Sequence, residues 1–399
     1  MLDNDIKPEI AIVCHAYQPP NQTPEVLDRI INNCYIPVAE MLEENPEIKL
    51  TLNFNASLSE MLEAGYSNVI EKFANLARND QVEFLESGAY HPILPLLSEK
   101  ESRYQITLNH QMNLRIFGSV WHPIGFWPPE LAVSPILLSQ LESLGYQYTI
   151  IPEIAVSSNE NHPSPLFEKI PVHHSAPNLA LIYRNRELSN NISFKNYPSV
   201  DNFIEHVNLL KAKQPQQSVL VVATDLETFG EHHLGYEKFL KKILQRSVIH
   251  TVKDILTFPR EKIEVFKESS WSTSEEDLYR NIPYPLWAFP GNSIHEILNF
   301  HSDILSESLD FLLRHKEESD FEVRQALKEV AKAQYSCQTW WASAKDHFSK
   351  ELIIKGFEEQ KKALNAILKA IGTNYPHSIL SATSDRLEKR LKRYLQRIA

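Results

Sequence analysis

The feature that most constrains this chain is an alternation. Through the first 260 residues, short β-branched or apolar runs are followed by longer amphipathic stretches. Repetition of that kind predicts βα units laid side by side in a parallel sheet. Seven segments read as strands: Ile10 to Val13, Lys49 to Phe54, Val82 to Leu85, Ile124 to Trp127, Tyr148 to Ile151, Leu179 to Tyr183 and Val219 to Thr224. That is one short of an eight-stranded barrel. Pro24 to Glu44 reads as a single helix with Val26, Ile30, Ile31 and Cys34 on its apolar face. Ser57-Leu-Ser-Glu60 has the spacing of a capping box.

The pattern changes near residue 291. Beyond it the sequence reads as helices over 293–315, 321–345, 349–371 and 380–398. We therefore expect an α/β barrel domain over 1–290 and an α-helical C-terminal domain over 291–399. In the last helix Leu387, Leu391, Leu395 and Ile398 recur at helical spacing, while Arg386, Lys389, Arg390, Lys392, Arg393 and Arg397 make a basic face, read here as solvated.

Charge narrows the partners. The 399 residues carry 40 Lys and Arg against 51 Asp and Glu, a net charge of −11, which opposes binding to nucleic acid or anionic lipid. With no basic leader and no run of 18 apolar residues, the expectation is a cytoplasmic protein without a membrane span. Three cysteines, Cys14, Cys34 and Cys337, offer neither a disulfide framework nor a thiolate zinc site. The oligomeric state is not legible.

The chemically active side chains gather just after the strands, where parallel barrels carry their sites. Cys14-His15-Ala-Tyr17-Gln18 follows the first strand, Asn53-Phe-Asn55 the second and Glu86-Ser-Gly88-Ala-Tyr90-His91 the third. Gly125-Phe-Trp127-Pro-Pro-Glu130 surrounds the end of the fourth, and Asp225-Leu-Glu227-Thr-Phe229-Gly230 follows the last. Glu130 and Asp225 form a carboxylate pair from different strands, the minimum equipment for cleaving a glycosidic bond. Asp225 leaves an apolar strand, so burial should favour its protonated form. Acids at strand ends also cap helices and bridge to arginine, and the residues alone leave that alternative open. The histidine pairs His173-His174 and His232-His233 are adjacent in sequence and point different ways on a regular element, so no metal site and no cofactor is expected.

Taken together, His15-x-x-Gln18-Pro19, Gly88-x-x-His91-Pro92, Trp127-x-Pro-Glu130 and Asp225-x-Glu227-x-Phe229-Gly230 resemble the sequence regions of glycoside hydrolase family 57. Arg184-Asn-Arg186-Glu187-Leu-Ser189 and Gln334-x-Ser-Cys-Gln-x-Trp340-Trp341 are similar to further segments of that family. The resemblance implies an incomplete (β/α)7 barrel followed by a C-terminal helical bundle, retaining chemistry on α-glucans and no metal requirement. Position by position, it implies that Glu130 is the nucleophile and Asp225 the acid/base. His15, His91 and Trp127 match positions lining the donor-sugar subsite, and Trp341 matches a helical-region aromatic. Gln18, Arg184, Glu227 and Phe229 complete the expected substrate-binding set. Tyr17 stands where many members have a second histidine, a departure that bears on specificity.

The expected activity is hydrolysis of α-1,4-glucans or maltooligosaccharides through a covalent glycosyl-enzyme. The alternatives are a 4-α-glucanotransferase or branching-type transglycosylase on the same site, a metal-dependent carbohydrate deacetylase, or an inactive sugar-binding protein. The expected partner is an α-glucan or oligosaccharide substrate.

Overall fold

The computed structural model describes residues 7–156, 170–212, 219–263, 265–343, 347–372 and 377–398. Among these residues ten strands run in chain order as β1 (Glu9–Ala16), β2 (Leu50–Phe54), β3 (Val82–Glu86), β4 (Gly125–Phe126), β5 (Tyr148–Pro152), β6 (Ile170–His173), β7 (Ala180–Arg184), β8 (Leu220–Asp225), β9 (Val248–His250) and β10 (Arg260–Ile263). Seven of them make one parallel path, β7-β5-β4-β3-β2-β1-β8, and these are the seven strands expected from the sequence. The two end strands come together through the Asn185 amide, 2.8 Å from the Val221 carbonyl, and the Arg184 Nε, 2.8 Å from the Ala223 carbonyl. The sheet is thus a nearly closed seven-stranded barrel. Strand β9 adds to the start of β1, and β6 pairs with β10 in a separate two-stranded sheet. These three short strands were not anticipated.

Side-chain alternation sorts the strands into an outer and an inner face. Ile10, Ile12, Cys14 and Ala16 of β1 share one core with Leu50, Leu52 and Phe54 of β2, Val82 and Phe84 of β3, Leu220 and Val222 of β8 and the helices around them. The intervening residues, among them Thr51, Asn53, Glu83, His15 and Asp225, point to the opposite face. Near the start of the strands that interior is plugged. The Tyr148 ring lies where a Cβ on Gly125 would fall, 2.0 Å from its Cζ, and its hydroxyl donates to Glu83 Oε1 at 2.5 Å. Thr51 Oγ1 and the Lys253 amide donate to Glu83 Oε2 at 2.9 and 3.1 Å. Burial pushes the Glu83 carboxyl above its usual range, and these donors hold it down.

Local structure departs from the sequence reading at three places. The helix expected over Pro24 to Glu44 is interrupted by a π-turn, Ile31–Tyr35, between Pro24–Ile30 and Ile36–Glu43. Pro37 has no N–H to return to the Asn33 carbonyl, so the Ile36 amide reaches back to Ile31 and the turn widens. Ser57 is not a cap: Asn55 is the residue before the helix Ala56–Gly65, and the Ser57 hydroxyl donates instead to the Gln18 carbonyl at 2.6 Å. The helix expected over 321–345 ends at Ala333, followed by the short helix Cys337–Trp340.

By packing, the chain forms two compact units. One holds the residues up to Ala89 together with Ile106–Trp271, and the other holds Tyr90–Gln105 with the residues from Ser272 onward. The second unit is built on the helices Ser293–His315, Phe321–Ala333, Lys350–Ile371 and His377–Arg397. Leu309, Leu312, Val323, Val330, Leu364 and Ile367 form one of its cores; Ile294, Leu298, Ile353, Phe357, Leu391 and Leu395 belong to another. The apolar spacing of the last helix is therefore a packed face. Among the described residues no helix is long and apolar enough to cross a membrane.

Candidate active site

The register of the strands places the first group. His15 lies opposite Asn53 across β1–β2 and opposite Asp225 across β1–β8, so the three side chains emerge on the same face at the same level. Asn53 Oδ1 is 2.7 Å from His15 Nδ1 and fixes the imidazole about that axis. The ring is stacked between Trp127, with centroids 5.1 Å apart, and Tyr17, 5.9 Å away. Burial lowers the His15 pKa to about 4, so the ring is a neutral polar surface at pH 7.

Glu130 is set by backbone geometry. Its φ of 58° lies in the left-handed region, a conformation that costs an L-residue about 1–2 kcal/mol and is held only where its surroundings demand it. Trp271 supplies that demand twice: its amide donates to the Glu130 carbonyl at 3.1 Å and its indole Nε1 donates to Glu130 Oε2 at 2.9 Å. Trp271 also meets Trp127 edge to face at 5.8 Å. The guanidinium of Arg184 lies over the Trp271 ring at 5.6 Å. Arg184 is buried, donating to the Ala223 carbonyl at 2.8 Å and to Asn190 Oδ1 at 2.7 Å, and its positive charge acts on Asp225. Trp271 thus touches both Glu130 and Arg184, and Arg184 acts on Asp225 through its charge.

Asp225 is the one residue of β8 that is not fully buried. Loss of hydration raises its pKa, while the charges of His232 and Arg184 oppose the rise. That direction agrees with the expectation drawn from its apolar strand. Glu227, two residues on and buried, accepts three hydrogen bonds at Oε1: from the Tyr35 hydroxyl at 2.5 Å, Gln18 Nε2 at 3.0 Å and the Tyr17 amide at 3.3 Å. Burial and the neighbouring Asp225 push the Glu227 carboxyl up to about 7.

Of the side chains singled out in the sequence, His15, Gln18, Trp127, Glu130, Arg184, Asp225 and Glu227 therefore converge on the strand ends of the barrel unit. Phe229 is completely buried in the barrel core, stacked on Tyr236. His91 and Trp341 belong to the helical unit. There His91 takes a φ of 57°, its Nδ1 lies 2.9 Å from Ser336 Oγ, and its carbonyl accepts from the Ser336 amide at 3.0 Å. Ser336 can do both because the helix has stopped at Ala333. Trp341 packs edge to face on Trp340.

Two participants escaped the sequence reading. Tyr35 is turned inward by the π-turn, and Trp271 lies beyond the last foreseen strand; Asn53 was singled out after the second strand, but its role depends on β1–β2 register. Among the described residues no three His, Cys, Asp or Glu side chains are grouped to hold a metal ion.

The chain is 27% identical over 237 residues to an alpha-amylase of Pyrococcus horikoshii, covering 58% of this chain and 36% of that one. It is 24% identical over 310 residues to a 4-alpha-glucanotransferase of Thermococcus litoralis, covering 77% and 44%. The chain thus spans less than half the length of these two relatives. The crystal structure of a branching enzyme from Pyrococcus horikoshii superimposes with a TM-score of 0.70 at 17% identity, over 96% of this chain and 95% of that one, and so shares the fold. The model of glycosyl hydrolase family 57 matches residues 12–270, and the chain belongs to that family.

Proposed function

We propose that this chain is a retaining enzyme of α-1,4-glucans that hydrolyses maltooligosaccharides through a covalent glycosyl-enzyme. The observation that carries the reading is the series Glu130, Trp271, Arg184, Asp225, which couples two carboxyl groups from different strands at the end of the barrel where such sites lie. The two groups have unlike surroundings, as unlike roles require. Glu130 is aimed by an indole N–H and a constrained backbone, which suits a nucleophile that must approach the anomeric carbon along one line. Asp225 has burial favouring its protonated form, which suits a general acid.

In the first step Asp225 gives its proton to the glycosidic oxygen as Glu130 bonds to the anomeric carbon and the leaving sugar departs. In the second, Asp225 takes a proton from water, which attacks the same carbon and releases Glu130. Trp271, partly exposed beside Glu130, offers a neutral aromatic surface to a sugar ring. A reducing, cytoplasmic setting would keep Cys14, Cys34 and Cys337 as thiols.

Incubation with maltooligosaccharides, with the products separated by chromatography, tests the reading. Shorter sugars alone are expected. A ladder that includes longer sugars would replace hydrolysis by transfer on the same site. No product from any α-linked glucan, or equal activity in Glu130→Ala, would refute it.

A further inference from the structure

The mechanism above leaves Glu227 without work, yet its Oε1 accepts three hydrogen bonds. The π-turn that delivers Tyr35 to it is pinned to the chain after β8 at three further points. Cys34 Sγ lies 3.0 Å from the Leu226 carbonyl, and Asn33 Nδ2 donates to Glu231 Oε2 at 3.4 Å. A Cβ on Gly230 would fall 1.9 Å from the Asn33 carbonyl oxygen, so only glycine admits so close an approach. The widened turn and the segment carrying Glu227 are built against each other.

Asp225 and Glu227 share a desolvated site in which two anions repel, and such a pair keeps one proton between its members over a broad pH range. Where the proton rests depends on which carboxylate is better stabilised as an anion. Glu227 Oε1 receives three donors at contact distance. Among the described residues no hydrogen bond reaches the Asp225 carboxylate, and Arg184 and His232 act on it through space. The other ionisable groups around the pair are the Cys14 and Cys34 thiols and the Tyr35 phenol, all pushed toward their neutral forms by burial, the neutral His15, and Glu231, whose charge is met by Arg29. The three donors favour the Glu227 anion against the burial and repulsion that raise its carboxyl to about 7.

We propose that Tyr35 is a positioning residue of the catalytic apparatus: its hydroxyl, with Gln18 and the Tyr17 amide, holds Glu227 as the anion, and that anion keeps the shared proton on Asp225. The inference rests on Asp225 being the acid/base. It makes the π-turn part of the machinery, since a regular helix would turn Tyr35 elsewhere.

The test is the pH dependence of kcat/KM for the full-length enzyme on a maltooligosaccharide. In Tyr35→Phe the alkaline limb, where the acid loses its proton, is expected to move to lower pH by about one unit, a loss of about tenfold on that limb. The acidic limb stays in place. Glu227→Gln, which keeps the shape and removes the charge, should move the same limb at least as far, and it carries the test should Tyr35→Phe fail to fold. An unmoved alkaline limb in a folded Tyr35→Phe, or in Glu227→Gln, overturns the proposal. Asp225→Asn separates it from the assignment beneath it. If that variant loses maltooligosaccharide cleavage but keeps an aryl glucoside with an acidic phenol, the acid/base reading stands and the limb decides. If it loses both equally, the acid/base assignment and this inference fall together.

Discussion

Arg184 is a buried cation whose removal gives a signed, two-part expectation. Burial lowers its pKa from the ordinary 12.5 to about 10, so keeping it charged inside the fold costs about 3 kcal/mol, at about 1.4 kcal/mol per pH unit. That cost is present at every pH below about 10 and is relieved only as pH rises through that value. Against it stand the bonds to Ala223 and Asn190, each of about 1.5–3 kcal/mol for a charged donor. Arg184→Met keeps the apolar stem, loses about 3–6 kcal/mol and recovers about 3. The variant is expected to be destabilised by about 0–3 kcal/mol in urea unfolding at pH 7.

The catalytic consequence has a definite direction. The charge of Arg184 holds the Asp225 carboxyl below the position burial alone would give it. Without that charge Asp225 keeps its proton to higher pH, and the alkaline limb of kcat/KM should move upward, opposite to the shift expected for Tyr35→Phe. A loss of stability above about 5 kcal/mol would refute the offset argued here. An alkaline limb that stays or moves down would refute the coupling to Asp225.

Other consequences can be checked independently. Removing the indole donor in Trp271→Phe should lower kcat on maltooligosaccharides by about 10–100-fold, since Glu130 loses the bond that aims it, with far-UV circular dichroism unchanged; wild-type kcat would show that the bond does not matter. Gly125→Ala drives a Cβ into the Tyr148 ring and strands the buried Glu83, so it should cost about 3 kcal/mol or more in urea unfolding, and an unshifted midpoint would contradict the plugged interior. Dialysis against a strong chelator should leave activity intact, because neither carboxylate step needs a Lewis acid; loss restored by a divalent ion would favour deacetylase chemistry. Glu130→Ala should abolish activity on aryl and natural glucosides alike, with partial rescue by azide giving inverted product; rescue with retained configuration would move the nucleophile to another residue.

What the sequence determined by itself was periodic or local. Strands such as Val219 to Thr224 announce themselves because parallel strands buried on both faces are continuous apolar runs. The polar residues that break those runs, His15, Glu130 and Asp225 among them, stand out by contrast at the strand ends. The stripe of Leu387, Leu391 and Leu395 is equally plain, since a helix repeats its face every three or four residues.

What only the tertiary structure decided depends on contacts between distant segments. The partnership of His15 with Asn53 needs the β1–β2 register, and that of Glu130 with Trp271 joins residues 141 positions apart. Tyr35 looks like one more apolar helix residue until Pro37 and the close approach to Gly230 rotate it onto Glu227. Where the helix expected over 321–345 has stopped, Ser336 bonds both the ring and the carbonyl of His91, 245 residues away. Local propensity cannot register a partner that only the folded chain brings near, and the burial that shifts Asp225 and Glu227 is a property of that fold.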